Sequence, residues 1–226
     1  MITCIILVAG SGSRLGSNDP KQFIKVGTKT ILEHCIERFL EVREIDNFIF
    51  ACQKEYQDRI TELLKPYSVR FSLIEGGQER FHSVANALEV CPQETDIVLI
   101  HDGARPNVKP ALVKRLIKWA QKSNSGAIPG QPLTDSVKKV NCDGEVLQSV
   151  PRSHLYKVQT PQVFPYEKIL DSYRQGLEKS FSGTDDAAFF EEAGERVTIL
   201  EGEASNLKIT YPEDLKLFEA YLKGIL

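Results

Sequence analysis

Ile2-Thr-Cys-Ile-Ile-Leu-Val-Ala9 runs directly into Gly10-Ser-Gly-Ser-Arg-Leu-Gly16. The first stretch is apolar without alternation, the pattern of a strand covered on both faces in a parallel sheet. The second is a glycine-rich loop. Behind it, Thr30-Ile-Leu-Glu33 reads as a capping box, with Thr30 as N-cap and Glu33 reaching back. Ile31, Leu32, Cys35, Ile36, Phe39 and Leu40 then recur at helical spacing and bury one stripe. Strand, glycine loop and helix in this order announce an α/β protein.

The same rhythm continues outward. Strands are expected at 47–52, 69–74, 96–100 and 126–130, with helices at 56–64, 83–90 and around 112–120 between them. Strand alternating with helix predicts a Rossmann-like, mostly parallel sheet with right-handed crossovers and helices on both faces. The rhythm then breaks. Val137-Lys-Lys-Val140 and Val146-Leu-Gln-Ser-Val150 flank Asn141-Cys-Asp-Gly-Glu145, a β-hairpin with Asp-Gly at its turn. A two-stranded hairpin is marginal in water, so it must pack on the sheet or on another subunit. Helices return at 166–177, 185–193 and 212–222, with Thr184 as N-cap of the second and Thr210-x-x-Glu213 as a capping box for the third. No repeat or linker-like tract interrupts the chain, so a single domain carrying an inserted arm is the economical arrangement.

Composition narrows the function. The 226 residues are 42% hydrophobic and 26% charged, which excludes global disorder. Twenty-eight Lys and Arg against 31 Asp and Glu leave a net charge of −3, and a pI near 5.9 argues against a general nucleic-acid binder. Ile5 to Ala9, the longest apolar run, is far too short to span a bilayer, and no secretory signal is visible. Five scattered cysteines form no Cys-x-x-Cys pair and read as reduced structural thiols of a cytoplasmic protein. The four histidines share no metal-ligand spacing.

Ligands of open parallel sheets bind beyond the carboxyl ends of the strands, so the loops there matter most. In the first, Gly10 and Gly12 let backbone N–H groups converge on an anion, and Arg14 and Lys21 add two cations, a set suited to a polyphosphate. The loop is not a Walker A motif, and Leu15 stands where a dinucleotide fingerprint needs glycine. A tight turn with solvated Arg14 and Lys21 explains it equally well in isolation. Gly76-Gly77, leading to Ser83, allows a flat base or sugar to approach the main chain. In His101-Asp102-Gly-Ala-Arg105-Pro106, a strand-end carboxylate can hold Mg²⁺ beside phosphates, or Asp102 and Arg105 can simply brace the turn. Ser136, Arg152, Thr160, Thr184 and Lys208 each read as surface residues unless the fold gathers them.

Taken in order, Val8-Ala-Gly-Ser-Gly-Ser-Arg14, Pro20-Lys-Gln22, Gly76-Gly…Arg80…Ser83, His101-Asp-Gly-Ala-Arg-Pro106, Gln159-Thr-Pro-Gln162, Thr184-Asp-Asp186 and Asn206-Leu-Lys-Ile-Thr210 resemble the 2-C-methyl-D-erythritol 4-phosphate cytidylyltransferase family of the non-mevalonate isoprenoid pathway. The resemblance covers essentially the whole chain, although single motifs are shared with sugar-nucleotide pyrophosphorylases. It implies a nucleotide-diphospho-sugar transferase type of fold, and the joining of CTP and methylerythritol phosphate with release of pyrophosphate, assisted by Mg²⁺ or another divalent cation. By the same resemblance Arg14 and Lys21 stabilise the transition state. Arg152 and Lys208 position the polyol phosphate, with Arg105, Ser136, Thr160 and Thr184 nearby. Ala9, Gly10, Gly12, Gly77 and Ser83 match the nucleotide pocket, and Asp102 the ribose and metal side. The hairpin, at about 132–153, would embrace a second subunit of a homodimer and carry Ser136 and Arg152 into the neighbour's site. Departures from the family pattern are Gln78 where an acid is common, Ser136 for Thr and Gly103 for Ala; none removes a cation.

Three other functions are compatible with parts of the sequence. Ribitol-5-phosphate cytidylyltransferases resemble the chain in the same loops, though Arg152 within Val150-Pro-Arg-Ser-His154 favours the methylerythritol enzymes. The missing third glycine and the Arg14/Lys21 pair argue against an NAD(P)-dependent reductase. Retention of every matched cation argues against a non-catalytic nucleotide-binding module. The expected location is cytoplasmic, or plastid if a transit peptide has been removed, with no nucleic-acid or membrane partner.

Overall fold

A computed structural model describes residues 1–10 and 19–225. The apolar opening run is strand β1 (Ile2–Leu7), and its side chains explain why the sequence does not alternate. Ile2, Cys4 and Ile6 enter one core while Ile5 and Leu7 enter another on the opposite face. After a hairpin of two-residue strands, β2 (Lys25–Val26) and β3 (Lys29–Thr30), comes α1 (Ile31–Leu40). The Thr30 hydroxyl accepts from Glu33 N while the Glu33 carboxylate accepts from Thr30 N at 2.6 Å, so the expected capping box is formed.

The chain proceeds through β4 (Asn47–Cys52), α2 (Gln57–Leu64), β5 (Phe71–Glu75), α3 (Arg80–Glu89), β6 (Ile97–Asp102), α4 (Pro110–Ser123) and β7 (Gly126–Pro132). It then forms the arm β8 (Val137–Val140) and β9 (Val146–Val150), followed by β10 (Tyr156–Val158), β11 (Gln162–Pro165), α5 (Tyr166–Glu178), α6 (Asp186–Glu192), β12 (Val197–Glu201) and α7 (Pro212–Leu222). The main sheet has the order β10-β7-β11-β6-β1-β4-β5, with β12 paired to β7. β6, β1, β4 and β5 are mutually parallel, as is the β7–β12 pair. The expectation of a mostly parallel sheet therefore holds, but β10 and β11 run antiparallel to their neighbours. Leu32, Phe39, Leu112 and Leu116 fill the core under α1 and α4; Val84, Ile169, Tyr173 and Phe189 fill the other under α3, α5 and α6.

Two caps differ from the sequence expectation. Asp185 rather than Thr184 caps α6, its carboxylate accepting from Ala188 N at 3.0 Å, where a charged acceptor also meets the positive end of the helix. At α7 the cap moves one residue to Tyr211, because Pro212 occupies the first helical position; Asp214 accepts from both Thr210 N and Tyr211 N at 2.8 Å. α3 also begins three residues before the expected Ser83, which brings Arg80 onto the helix. Among the described residues the arm pairs only with itself, and Val146 and Leu147 on it are each 60% exposed. A third, small core of Val26, Ile31, Ile209 and Phe218 joins α7 to the β2–β3 hairpin.

Candidate functional site

The carboxyl ends of β1, β5 and β6 open on a cavity of about 440 Å³. Ala9 and Gly10 form its wall from β1, Gly77 to Arg80 and Ser83 from the β5–α3 turn, and Asp102 and Ala104 from the end of β6. Lys21 and Gln22 enter from a short 3-10 helix (Lys21–Phe23), and Lys208 from the loop before α7. The β5–α3 turn is built for close approach. A Cβ on Gly77 would lie 2.3 Å from that of His82, and one on Gly76 would lie 3.0 Å from both the Ala9 Cβ and the Ser83 Oγ. Gly77 N donates to Ser83 Oγ at 3.0 Å, fixing the turn against the helix it feeds.

Asp102 is the electrostatic centre. Its Oδ1 accepts from Arg80 Nε at 3.1 Å; its Oδ2 is 2.9 Å from Lys208 Nζ and 3.6 Å from Arg105 Nε. Burial by itself would raise the Asp102 pKa, but the charges of Arg80, Lys208 and Arg105 outweigh it and hold the carboxyl well below the usual range. Behind Arg80 stands Asp186, fully buried, which takes both terminal guanidinium nitrogens and the Tyr173 hydroxyl.

A second network lies beneath the floor. His101 Nε2 must donate to the Arg105 carbonyl at 3.0 Å, so Nδ1 accepts from the Thr160 hydroxyl, also at 3.0 Å. Thr160 Oγ1 in turn accepts from Asp102 N at 3.1 Å. Burial is the main cause that lowers the His101 pKa, to about 4, so the ring is neutral in this chain of bonds. Asn206 Nδ2 donates to Thr160 O at 2.9 Å, and Arg105 Nη1 donates to Asn206 O, tying the segment that carries Lys208 to the end of β6.

The fold thus gathers Ala9, Gly10, Lys21, Gly77, Ser83, Asp102 and Lys208 around one cavity, with Arg105 and Thr160 packed directly behind Asp102. Thr184 is exposed beside the Asp185 cap. Ser136 and Arg152 lie exposed at the base of the arm, where Arg152 donates to the Thr134 carbonyl. Gly12 and Arg14 lie outside the described residues. Sequence reasoning passed over Arg80, Asp186, Gln22 and His101, although each sits inside one of the ordered motifs. Gln22 Oε1 and Arg105 Nε are buried without a hydrogen-bond partner among the described residues, one acceptor and one donor beside the site.

Among the described residues no cluster of three His, Cys, Asp or Glu could hold a metal ion unaided. A hard cation that keeps waters and takes oxygens from a bound polyphosphate needs only one or two carboxylates, and Asp102 on the cavity wall fits that lesser demand. No helix among the described residues is long and apolar enough to cross a membrane.

A family model described as 2-C-methyl-D-erythritol 4-phosphate cytidylyltransferase matches residues 2–224. The curated protein of that name from Syntrophotalea carbinolica is 41% identical over 222 residues, spanning 96% of this chain and 94% of its own length. Its counterpart from Clostridioides difficile is 39% identical over 224 residues, spanning 98% and 94%. Among solved structures, the 4-diphosphocytidyl-2C-methyl-D-erythritol synthase from Anaerococcus prevotii is similar with a TM-score of 0.87 and 32% identity, covering 99% of this chain and 98% of that one.

Proposed function

The chain belongs to the 2-C-methyl-D-erythritol 4-phosphate cytidylyltransferase family, and from that premise we propose that its strand-end cavity joins CTP to methylerythritol phosphate. A phosphate oxygen of the polyol forms a bond to the α-phosphorus of CTP. The bond from that phosphorus to the bridging oxygen breaks, and its electron pair leaves with pyrophosphate. The nucleophile is already mostly dianionic near neutrality, its second pKa being about 6, so no general base is required. The chain's task is to hold two anions in line and stabilise charge at the transferring phosphorus.

The observation that carries this reading is the pairing of two lysines from distant parts of the chain, Lys21 and Lys208, around one cavity whose other wall is glycine-rich. Lys21 faces the triphosphate, and the family resemblance gives Arg14 the same task. Ala9, Gly10, Gly12, Gly77 and Ser83 receive the nucleotide. Lys208 turns toward the polyol phosphate from the cavity wall. The resemblance gives Arg105, Thr160 and Thr184 to the same phosphate, Arg105 and Thr160 from behind Asp102 and Thr184 from beside the Asp185 cap. Asp102 serves the ribose side and would hold a divalent cation, which would offset charge on the triphosphate. Ser136 and Arg152 complete a neighbour's site through the arm at about 132–153. Support for the arm as a dimer contact is its exposed Val146 and Leu147, on a hairpin that forms no strand pairing with the rest of the described chain. Five free thiols suit a reducing compartment, in keeping with a cytoplasmic enzyme.

The test is CTP consumption by purified protein with each polyol phosphate in turn. Methylerythritol phosphate should yield pyrophosphate and the cytidine-diphosphate product; turnover of ribitol phosphate alone would overturn the assignment.

A further inference from the structure

Asp186 is wholly buried, ionic and set behind the cavity wall, and nothing in the transfer uses it. Burying a carboxylate is costly unless its partners are well placed, so its partners are informative. Tyr173 OH donates to Oδ1 at 2.6 Å, and Arg80 clasps both oxygens at 2.9 and 2.7 Å. That fork uses both terminal nitrogens of Arg80. The remaining Nε points the other way and donates to Asp102 Oδ1 at 3.1 Å. Lysine could not reproduce this bridge: its three donors share one nitrogen, whereas the planar guanidinium sets a two-nitrogen fork on one carboxylate and a separate Nε–H on the other.

The result is a row of alternating charge from the helix layer to the cavity: Asp186, Arg80, Asp102, Lys208. Asp102 is divided along it, with Oδ1 given to Arg80 and Oδ2 left for Lys208 at 2.9 Å. If Arg80 were absent, both oxygens of Asp102 could turn on Lys208, and the ammonium would be held by the protein when it should be offered to a ligand.

We propose that Arg80 is a positioning residue for the phosphate end of the cavity: anchored by Asp186, it occupies one oxygen of Asp102 and so keeps Lys208 available to the polyol phosphate. This rests on Lys208 being the phosphate-facing cation of the proposed reaction. Net charge does not explain the arrangement equally well. Asp102 and Asp186 against Arg80, Arg105 and Lys208 leave one positive charge, and replacing Arg80 and Asp186 together by neutral groups leaves the same surplus while abolishing the bridge.

Steady-state kinetics on Arg80→Gln and on the double variant Arg80→Gln/Asp186→Asn test the idea. The double variant removes the buried charge that the single one leaves stranded, and its melting temperature reports on folding. In both, the KM for methylerythritol phosphate should rise about fivefold or more while the KM for CTP changes less than about twofold. Arg80→Lys should not restore it. An unchanged polyol-phosphate KM in the folded double variant overturns the proposal, as does an equal rise in both KM values, which would indicate general loosening. The unsubstituted enzyme and Lys208→Ala serve as controls. If the first does not turn over methylerythritol phosphate, or the second keeps its KM for it, the functional reading itself fails. If both controls behave, the outcome bears on Arg80 alone.

Discussion

The Lys21 ammonium donates to the carbonyl of Ile209 at 3.1 Å, across 188 positions of sequence. Ile209 follows Lys208 directly, so the two lysines that flank the cavity are joined through one backbone carbonyl. The bond also aims Lys21: its stem is buried, and its head is fixed beside Gly10 at the end of β1.

Lys21→Ala should therefore lower kcat by at least ~10²-fold, the scale for losing one charge-stabilising group. Arg14→Ala should behave alike. Saturating kinetics with both substrates read this out, and an unchanged kcat in either variant refutes the assigned role.

Gly77→Ala should damage nucleotide binding through sterics alone. The new Cβ would meet the Cβ of His82 at 2.3 Å and its backbone at about 3.1 Å, and backbone cannot yield as a side-chain tip can. We expect the KM for CTP to rise ~10-fold and stability to fall by ~2 kcal/mol, the usual range for overpacking. Titration with CTP and denaturant melts would show it; a variant matching the parent in both would remove the turn from the nucleotide pocket.

His101 supplies a pH dependence. Its folded pKa of about 4 lies below the ordinary 6.5, so the folded state disfavours the proton. The neutral ring's contribution is complete above pH 6.5 and is lost progressively between there and about 4. At 1.36 kcal/mol per pH unit this amounts to about 3 kcal/mol. Melting temperature against pH should fall more steeply over that window in the parent than in His101→Gln. Parallel curves would contradict it.

Arg152→Ala should chiefly raise the KM for methylerythritol phosphate. If the arm crosses a dimer, mixing Arg152→Ala with Lys21→Ala subunits should recover one working site per mixed pair, and Leu147→Asp should shift the protein toward monomer in light scattering. No recovery of activity counts against the shared site, and an unshifted mass against the arm as the contact.

The parallel half of the fold was legible because burial on both faces leaves a signature that single residues carry: Cys4 and Ile6 to one core, Ile5 to the other. β11 hid because its four residues begin with Gln162 and end at Pro165. Gln162 is buried for its hydrogen bonds to Asp185 and Ala187 N, a tertiary reason that local pattern does not express. The site divides in the same way. Gly10 and Lys21 stand close behind the first strand and are open to a phosphate reading, whereas Lys208 gains its place only through the family resemblance. Arg80 and Asp186 stay hidden, since their meaning lies in a contact spanning 106 residues.

The small core of Val26, Ile31, Ile209 and Phe218 has a consequence for biosynthesis. Domains on the ribosome fold as the chain emerges, N-terminal portions first. β1, β4, β5 and β6 can pair early, and with them the glycine turn and Asp102 take their places. Lys208 and the helix that seats it through Phe218 are made much later. The glycine turn and Asp102 thus leave the ribosome well before Lys208 does, and the small core can close only after Phe218 has been made.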